Sequence, residues 1–147
     1  MLRLLPFQAE HVRYMDLLDR DKWILDSNNL ARFAQMHELR GKGYTMGVAG
    51  GKIIACGGID LWWDHVGEAW MLLTPYAVKY PVAVVRLTRE FLGRLSEEMD
   101  LKRVQANIRV TDTVSFKFIE LMGFKREGTM KSFGTDGTDY YMYGRVL

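Results

Sequence analysis

The stretch "LLTPYAVKYPVAVVRL", Leu72 to Leu87, decides the fold. Leu72 and Leu73 read as the end of a buried strand, Thr74 to Tyr80 as a turn, and Pro81 onward as a helix. A strand, a tight turn and a helix in that order often bind phosphate. The first helical turn leaves backbone N–H groups unpaired and carries a partial positive charge. Here the turn holds no glycine, and Pro81 has no N–H to offer. Pro81 suits the first helical position, where a missing N–H costs nothing. Val82, Ala83 and Val84 then present N–H groups, and Lys79 and Arg86 add positive charge nearby. Losing one donor to a charged acceptor costs about 1.5–3 kcal/mol, roughly a tenfold to hundredfold loss of affinity. The stretch therefore reads as a weakened phosphate cradle; the plainer alternative is that Pro81 only starts a well-packed helix.

Working outward, Val84, Leu87, Phe91 and Leu95 share one helical face, flanked by Val85, Leu92 and Met99, so the spacing predicts a helix over Val82–Met99. "LKRVQANI" after it is a strand. Strand, helix and strand make a crossover, and a crossover joins parallel neighbours. Upstream, three strands are predicted at Tyr44–Val48, Lys52–Trp63 and Glu68–Leu73, joined by a turn at Gly50-Gly51 and another at Asp64–Gly67. "MLRLLPF" is a first strand. "QAEHVRYMDLLDR" follows with Val12, Met15 and Leu18 at helical spacing. "DSNNLARFAQMHELRGKG" is a second helix, capped by Ser27 or Asp26, with Leu30, Phe33, Ala34 and Leu39 on its apolar face and glycines at its end. "TDTVSFKFIELMG" is a helix capped by Thr111 or Asp112 and stopped by Gly123. "FKREGTMKSF" and "TDYYMYGRVL" are two strands joined around Gly134–Gly137. The order β-α-α-β-β-β-α-β-α-β-β implies an α/β chain with a mixed sheet in a three-layer α/β/α arrangement.

The 147 residues suit one domain over 1–147, and 48% hydrophobic residues supply its core. A formal net charge of +2, with Lys and Arg scattered, argues against a nucleic-acid partner. Cys56 is the sole cysteine, so no intrachain disulfide forms, and His11, His37 and His65 lack ligand spacing, so no metal is expected. No apolar run is long enough for a bilayer and the start lacks a signal pattern, which leads to the expectation of a cytoplasmic protein without a membrane partner.

The order of elements resembles the GNAT superfamily of acyl-CoA N-acyltransferases over essentially the whole chain. "LLTP" (Leu72–Pro75) is similar to the family's V-x-P. "DTVSFKFIELMGF" (Asp112–Phe124) resembles N-x-x-S/A…L-G-F through Ser115, Leu121, Gly123 and Phe124. "GFKREGTMKSFGTDGTDYYMYGRV" resembles the tail of ribosomal-protein-type acetyltransferases. "FQAEH", "ACGGIDLW", "GEAWMLL" and the glycine-poor turn also look like small phage- or prophage-encoded GNAT-like proteins, some relatives of which are internal virion components. The chain departs from the family at several points. Counting from Pro75, the acyl-CoA signature Q/R-x-x-G-x-G/A meets Val78, Pro81 and Ala83, of which only Ala83 fits. The family's Asn is Asp112, and its general-acid tyrosine is Ile119.

The resemblance implies acetyl-CoA as cofactor, weakly bound, with its pantetheine arm along the backbone of Met71, Leu72 and Leu73. Asp112, in place of the family's Asn, and the helix start complete the cofactor contacts. One N–H of the Met71–Leu73 strand would polarise the thioester. The acceptor would be a small-molecule or protein amine: a protein N-terminus, a lysine or a small amine. It must lose a proton before attack, which calls for a carboxylate or a water held by one. Glu68 is the first candidate base, against an exposed hairpin Glu; Asp60 and Asp64 follow, against turn or solvent roles. Histidine is a residue type suited to this role, but His65 sits in a turn, where a solvated ring is the plainer reading. Trp62 and Trp63 alternate on a strand, so one should be core and the other wall a substrate cleft or a partner surface, such as a homodimer. Trp70 and Cys56 read as core. Tyr141 and Tyr143 share one face of the last strand, opposite Tyr140; packing is the plainer reading of these tyrosines and a substrate rim the second. The rival reading is a GNAT-fold phage structural or interaction protein with little or no transferase activity, located in a virion.

Overall fold

In a computed structural model of the chain, residues 2–18, 21 and 27–147 are described. The elements are β1 (Leu2–Pro6), a 3-10 helix (Ala9–Tyr14), α1 (Ser27–Arg40), β2 (Gly41–Val48), β3 (Ile53–Trp63), β4 (Val66–Leu73), a second 3-10 helix (Pro75–Lys79), α2 (Pro81–Glu98), β5 (Arg103–Arg109), α3 (Thr113–Leu121), β6 (Lys125–Met130) and β7 (Tyr140–Val146). The seven strands form one sheet in the order β1-β2-β3-β4-β5-β7-β6. Every neighbouring pair is antiparallel except β4 and β5, which α2 joins as a crossover.

The sheet separates two apolar clusters. On one face α2 contributes Val84, Leu87, Phe91, Leu92 and Leu95, and α3 contributes Ile119, all packed on Ile59, Val104, Ala106 and Tyr143. On the other face Val12, Met15, Leu17 and Phe33 pack on Cys56 and Leu72. Along β4, Ala69, Met71 and Leu73 join the first cluster, and Trp70 and Leu72 the second, as strand alternation requires. Three layers result: α1, the sheet, then α2 with α3. Gly57 of β3 lets α2 lie close, since a Cβ there would stand 2.8 Å from the Trp70 carbonyl oxygen and 3.3 Å from the Phe91 ring.

Several local expectations need correction. The segment after β1 forms only a short 3-10 helix, and Leu17, not Leu18, is buried with Val12 and Met15. Those three positions do not share one face of a regular helix. In α1 the buried partner one turn after Phe33 is His37, and Leu39 is 85% exposed. Leu39 is six positions after Phe33, well round the helix. Asp26 lies outside the described residues, as do the side chains of Ser27, Leu30 and Ala34. Gly41 does follow the last residue of α1, Arg40, and Gly43 comes two residues later. They open β2 opposite Asp60 and Gly58, where a Cβ would strike backbone atoms of β3. The turn after β4 is a 3-10 helix that sequence pattern did not announce. Pro81 does start α2, and Gly50 does make its turn at φ +69°. Tyr141 and Tyr143 do lie together, against Phe116.

Candidate active site

β4 and β5 are paired only from Val66 to Glu68 against Arg103 to Gln105. Beyond Glu68 they diverge, so among the described residues the edge of β4 from residue 69 to 73 has no strand partner on the β5 side. The split holds a cleft of ≈ 270 Å³, walled by β4 residues 69–73 and β5 residues 106–109. Thr88, Phe91 and Leu92 of α2 floor it, and Phe118 and Ile119 of α3 close one side. Phe33, Asp21 and Tyr140 also line it.

Glu68 stands at the apex of the split. Asn107 Nδ2 donates to its Oε1 at 2.6 Å. Burial pushes the Glu68 carboxyl above its ordinary value; hydrogen bonds from Asn107 and Gln105 oppose this, Asp60 adds to it, and Trp62 opposes it. Glu68 is one side chain behind the cleft wall, where Asn107 and Trp70 are the lining residues. Asn107 Oδ1 and Trp70 Nε1 are buried without a hydrogen-bond partner among the described residues, both beside the split.

Asp60 is opposite Glu68 in the β3–β4 register. It is not a free base: His37 Nδ1 lies 2.9 Å from Oδ1 and 2.7 Å from Oδ2, and both residues are buried. The His37 ring stacks on Trp70 at 3.9 Å with an 18° tilt, and Phe33 meets both rings edge-on. Asp64 is exposed in the β3–β4 turn, at the closed end of the split, and takes no part in the cleft. His65 is in the same turn at φ +71°, its Nδ1 2.8 Å from the Asp100 carbonyl oxygen.

Trp62 and Trp63 differ from expectation. Neither is core; they are 50% and 65% exposed, with rings 6.0 Å apart. Leu61 pairs with Gly67 and Trp63 with Val66, so Trp62 is an extra residue in a bulge and the alternation breaks there. Neither lines the cleft, although Trp62 reaches Glu68 from beside it.

The residues expected to hold an anion sit at the start of α2. The Val84 N–H is not available, because it donates to the Tyr80 carbonyl at 2.9 Å. Pro81 having none, Val82 and Ala83 hold the helix-start N–H groups that lack an intrahelical acceptor. Lys79 and Arg86 are exposed on either side of them. Thr74 ties the preceding turn to β3, its Oγ1 donating to the Ile53 and Ile54 carbonyls at 3.1 and 3.0 Å. Met71, Leu72 and Leu73 all line the cleft. Asp112 caps α3, accepting from the Ser115 N–H at 3.1 Å and the Ser115 hydroxyl at 2.7 Å, and also lines the cleft.

Sequence reading missed His37, Asn107 and Asp21. It read Tyr140 for packing first and a substrate rim second; Tyr140 does line the cleft, with the Arg109 guanidinium 5.6 Å from its ring centre. Ile119, where the resemblance would set a general-acid tyrosine, is buried.

A sheet split between two parallel strands, with a crossover helix starting beside it, can be compared directly with solved structures. A candidate phosphinothricin N-acetyltransferase superposes with a TM-score of 0.78 at 18% identity, over 100% of this chain and 99% of its own. The fold is that of the GNAT acetyltransferases. A GNAT-family acetyltransferase from Streptococcus pneumoniae matches with a TM-score of 0.73 at 14% identity, over 100% of this chain and 99% of its own. A variant spermidine N-acetyltransferase from Vibrio cholerae gives 0.74 at 13%, over 99% and 93%. No protein-family model and no curated protein sequence matches the chain. The GNAT likeness is thus one of architecture, and the chemistry must be argued from the residues at the split.

Proposed function

We propose that the protein is an acetyl-CoA-dependent N-acetyltransferase that transfers the acyl group to a primary amine by direct attack within a ternary complex. One observation carries this reading: β4 leaves β5 immediately after Glu68, so a strand edge with no partner among the described residues lines the cleft and a half-buried carboxylate stands one side chain behind its wall.

The residues suit an acyl-CoA. The free edge of β4 offers peptide groups to an extended arm that itself carries amides, much as an added strand would. The start of α2 keeps the Val82 and Ala83 N–H groups for a diphosphate, with Lys79 and Arg86 beside them. Met71, Leu72 and Leu73 would hold the arm, and Asp112 borders it from the α3 side. Acetyl-CoA bound there supplies an activated acyl thioester. A backbone N–H of the Met71–Leu73 segment is the donor to negative charge developing on oxygen. Glu68, its proton affinity raised by burial, takes the proton of the incoming ammonium through a water at the split. Tyr140 brings a phenol to the cleft where the family position holds Ile119.

The neighbours named for an acceptor, phosphinothricin in one and spermidine in another, share the fold with different amines. The fold does not choose among a small amine, a lysine and a protein N-terminus. A panel of such amines with labelled acetyl-CoA, alongside calorimetry, tests the proposal. Micromolar acetyl-CoA binding is expected, with transfer falling about 10²- to 10⁴-fold in Glu68→Gln and cofactor affinity unchanged. No heat of binding at millimolar acetyl-CoA would instead support a GNAT-fold interaction protein. The glycine-free 3-10 turn and the spent Val84 N–H are the features that favour that second reading.

A further inference from the structure

Asp60 and Glu68 are register partners on neighbouring antiparallel strands, and their side chains share the face covered by α1. Directly opposite residues in such a pair have α-carbons about 4.5–5.5 Å apart. Two carboxylates that close resist joint ionisation. Asp60 does not stand alone, because the buried His37 ring meets both of its oxygens. That ring is itself fixed by stacking on Trp70 and by the edge contact with Phe33. Around Glu68 the groups are Asp60 and Trp62 from β3 and Gln105 and Asn107 from β5, with His37 of α1 behind Asp60. Arg103, two residues before Gln105 on β5, is committed to Glu127 at 2.9 and 2.5 Å.

We propose that His37 is a positioning residue for Glu68: by donating its Nδ1–H to both oxygens of Asp60, it draws that carboxylate's charge away from the Glu68 beside it. This rests on Glu68 as the base of the proposed reaction. Asp60 and His37 then serve the cleft without entering it. His37 also braces the indole of Trp70, which does line the wall.

The test is a carbon-13 NMR titration of the Glu68 side-chain carboxyl in labelled protein, assigned by its disappearance in Glu68→Gln. It needs no turnover, so it stands apart from the acetyl-transfer assay. Transfer that survives in Glu68→Gln defeats the base assignment, whatever the titration shows. In Asp60→Asn the Glu68 midpoint should fall by roughly half a pH unit to one unit. In His37→Leu it should rise by a similar amount, and in His37→Gln, which keeps an N–H donor, it should stay near the parent value. An unmoved midpoint in Asp60→Asn or in His37→Leu overturns the proposal. Should His37→Leu fail to fold, the double variant with Asp60→Asn decides. With the Asp60 charge gone, the double variant and Asp60→Asn must titrate together, and a difference between them overturns the proposal.

Discussion

Glu68 is placed where ionisation is costly, and that cost should be visible in stability. Burial raises its carboxyl above the ordinary 4.5. The folded chain therefore binds this proton more tightly than the unfolded chain does. Stability falls as pH rises from the ordinary value toward the folded one, then stays lowered above it. Glu68→Gln retains the Oε1 acceptor for Asn107 and removes the charge, so it should melt higher than the parent near pH 8. The gap should close toward pH 4, where the parent carboxyl is protonated as well. Thermal melts across that range check this, and a gap independent of pH would contradict the stated cause. The place of Glu68, at the start of the strand before the crossover, was legible in the sequence, although Asp60 and Asp64 stood beside it as candidates. His37 was not, because its partner Asp60 is 23 residues away on another element. The available signal was the four-residue step from the apolar Phe33, which places His37 on the buried face of α1.

At the scale of elements, α2 tests the cofactor reading most directly. Ala83 is the third residue of α2, where a Glu is well tolerated or even favourable because it meets the positive helix end. Ala83→Glu should therefore leave the melting temperature nearly unchanged. It sets a negative charge among the Val82 and Ala83 N–H groups, so acetyl-CoA affinity should drop at least about tenfold, the loss of one charge-assisted bond. Calorimetry at two salt concentrations is the measurement, and unaltered binding would move the diphosphate elsewhere. The apolar period of Val84, Leu87, Phe91 and Leu95 made α2 legible, and all four are buried as that period requires. The turn before it was less legible. A 3-10 helix of five residues is too short to show a period, and the bulge at Trp62 depends on pairing with β4 rather than on its own residues. The placement of Trp62 and Trp63 failed for that reason.

For the whole molecule, the informative feature is that one parallel pair sits in an otherwise antiparallel sheet. The strand–helix–strand order of β4, α2 and β5 pointed to it, since a helical crossover lets neighbouring strands run parallel; β1 and β2, also separated by a helix, pair antiparallel all the same. How early the two strands part could not be read, because it depends on long-range contacts; at the split the cleft is floored by Phe91 and Leu92 from α2 and closed on one side by Phe118 and Ile119 from α3. The helical layer must then bear two duties, supporting the core and holding the split open, and these can be separated by choosing where to remove atoms. Leu95 is 1% exposed in the main cluster and does not line the cleft. Leu95→Ala leaves a closed cavity and should cost about 2–5 kcal/mol, a fall of roughly 5 to 15 °C in melting temperature for a chain of this size. Acetyl-CoA affinity measured well below that lowered melting temperature should match the parent. Loss of affinity in a variant that remains folded at the measuring temperature would mean that the width of the split is set by the core far beneath it, rather than by the side chains at its floor.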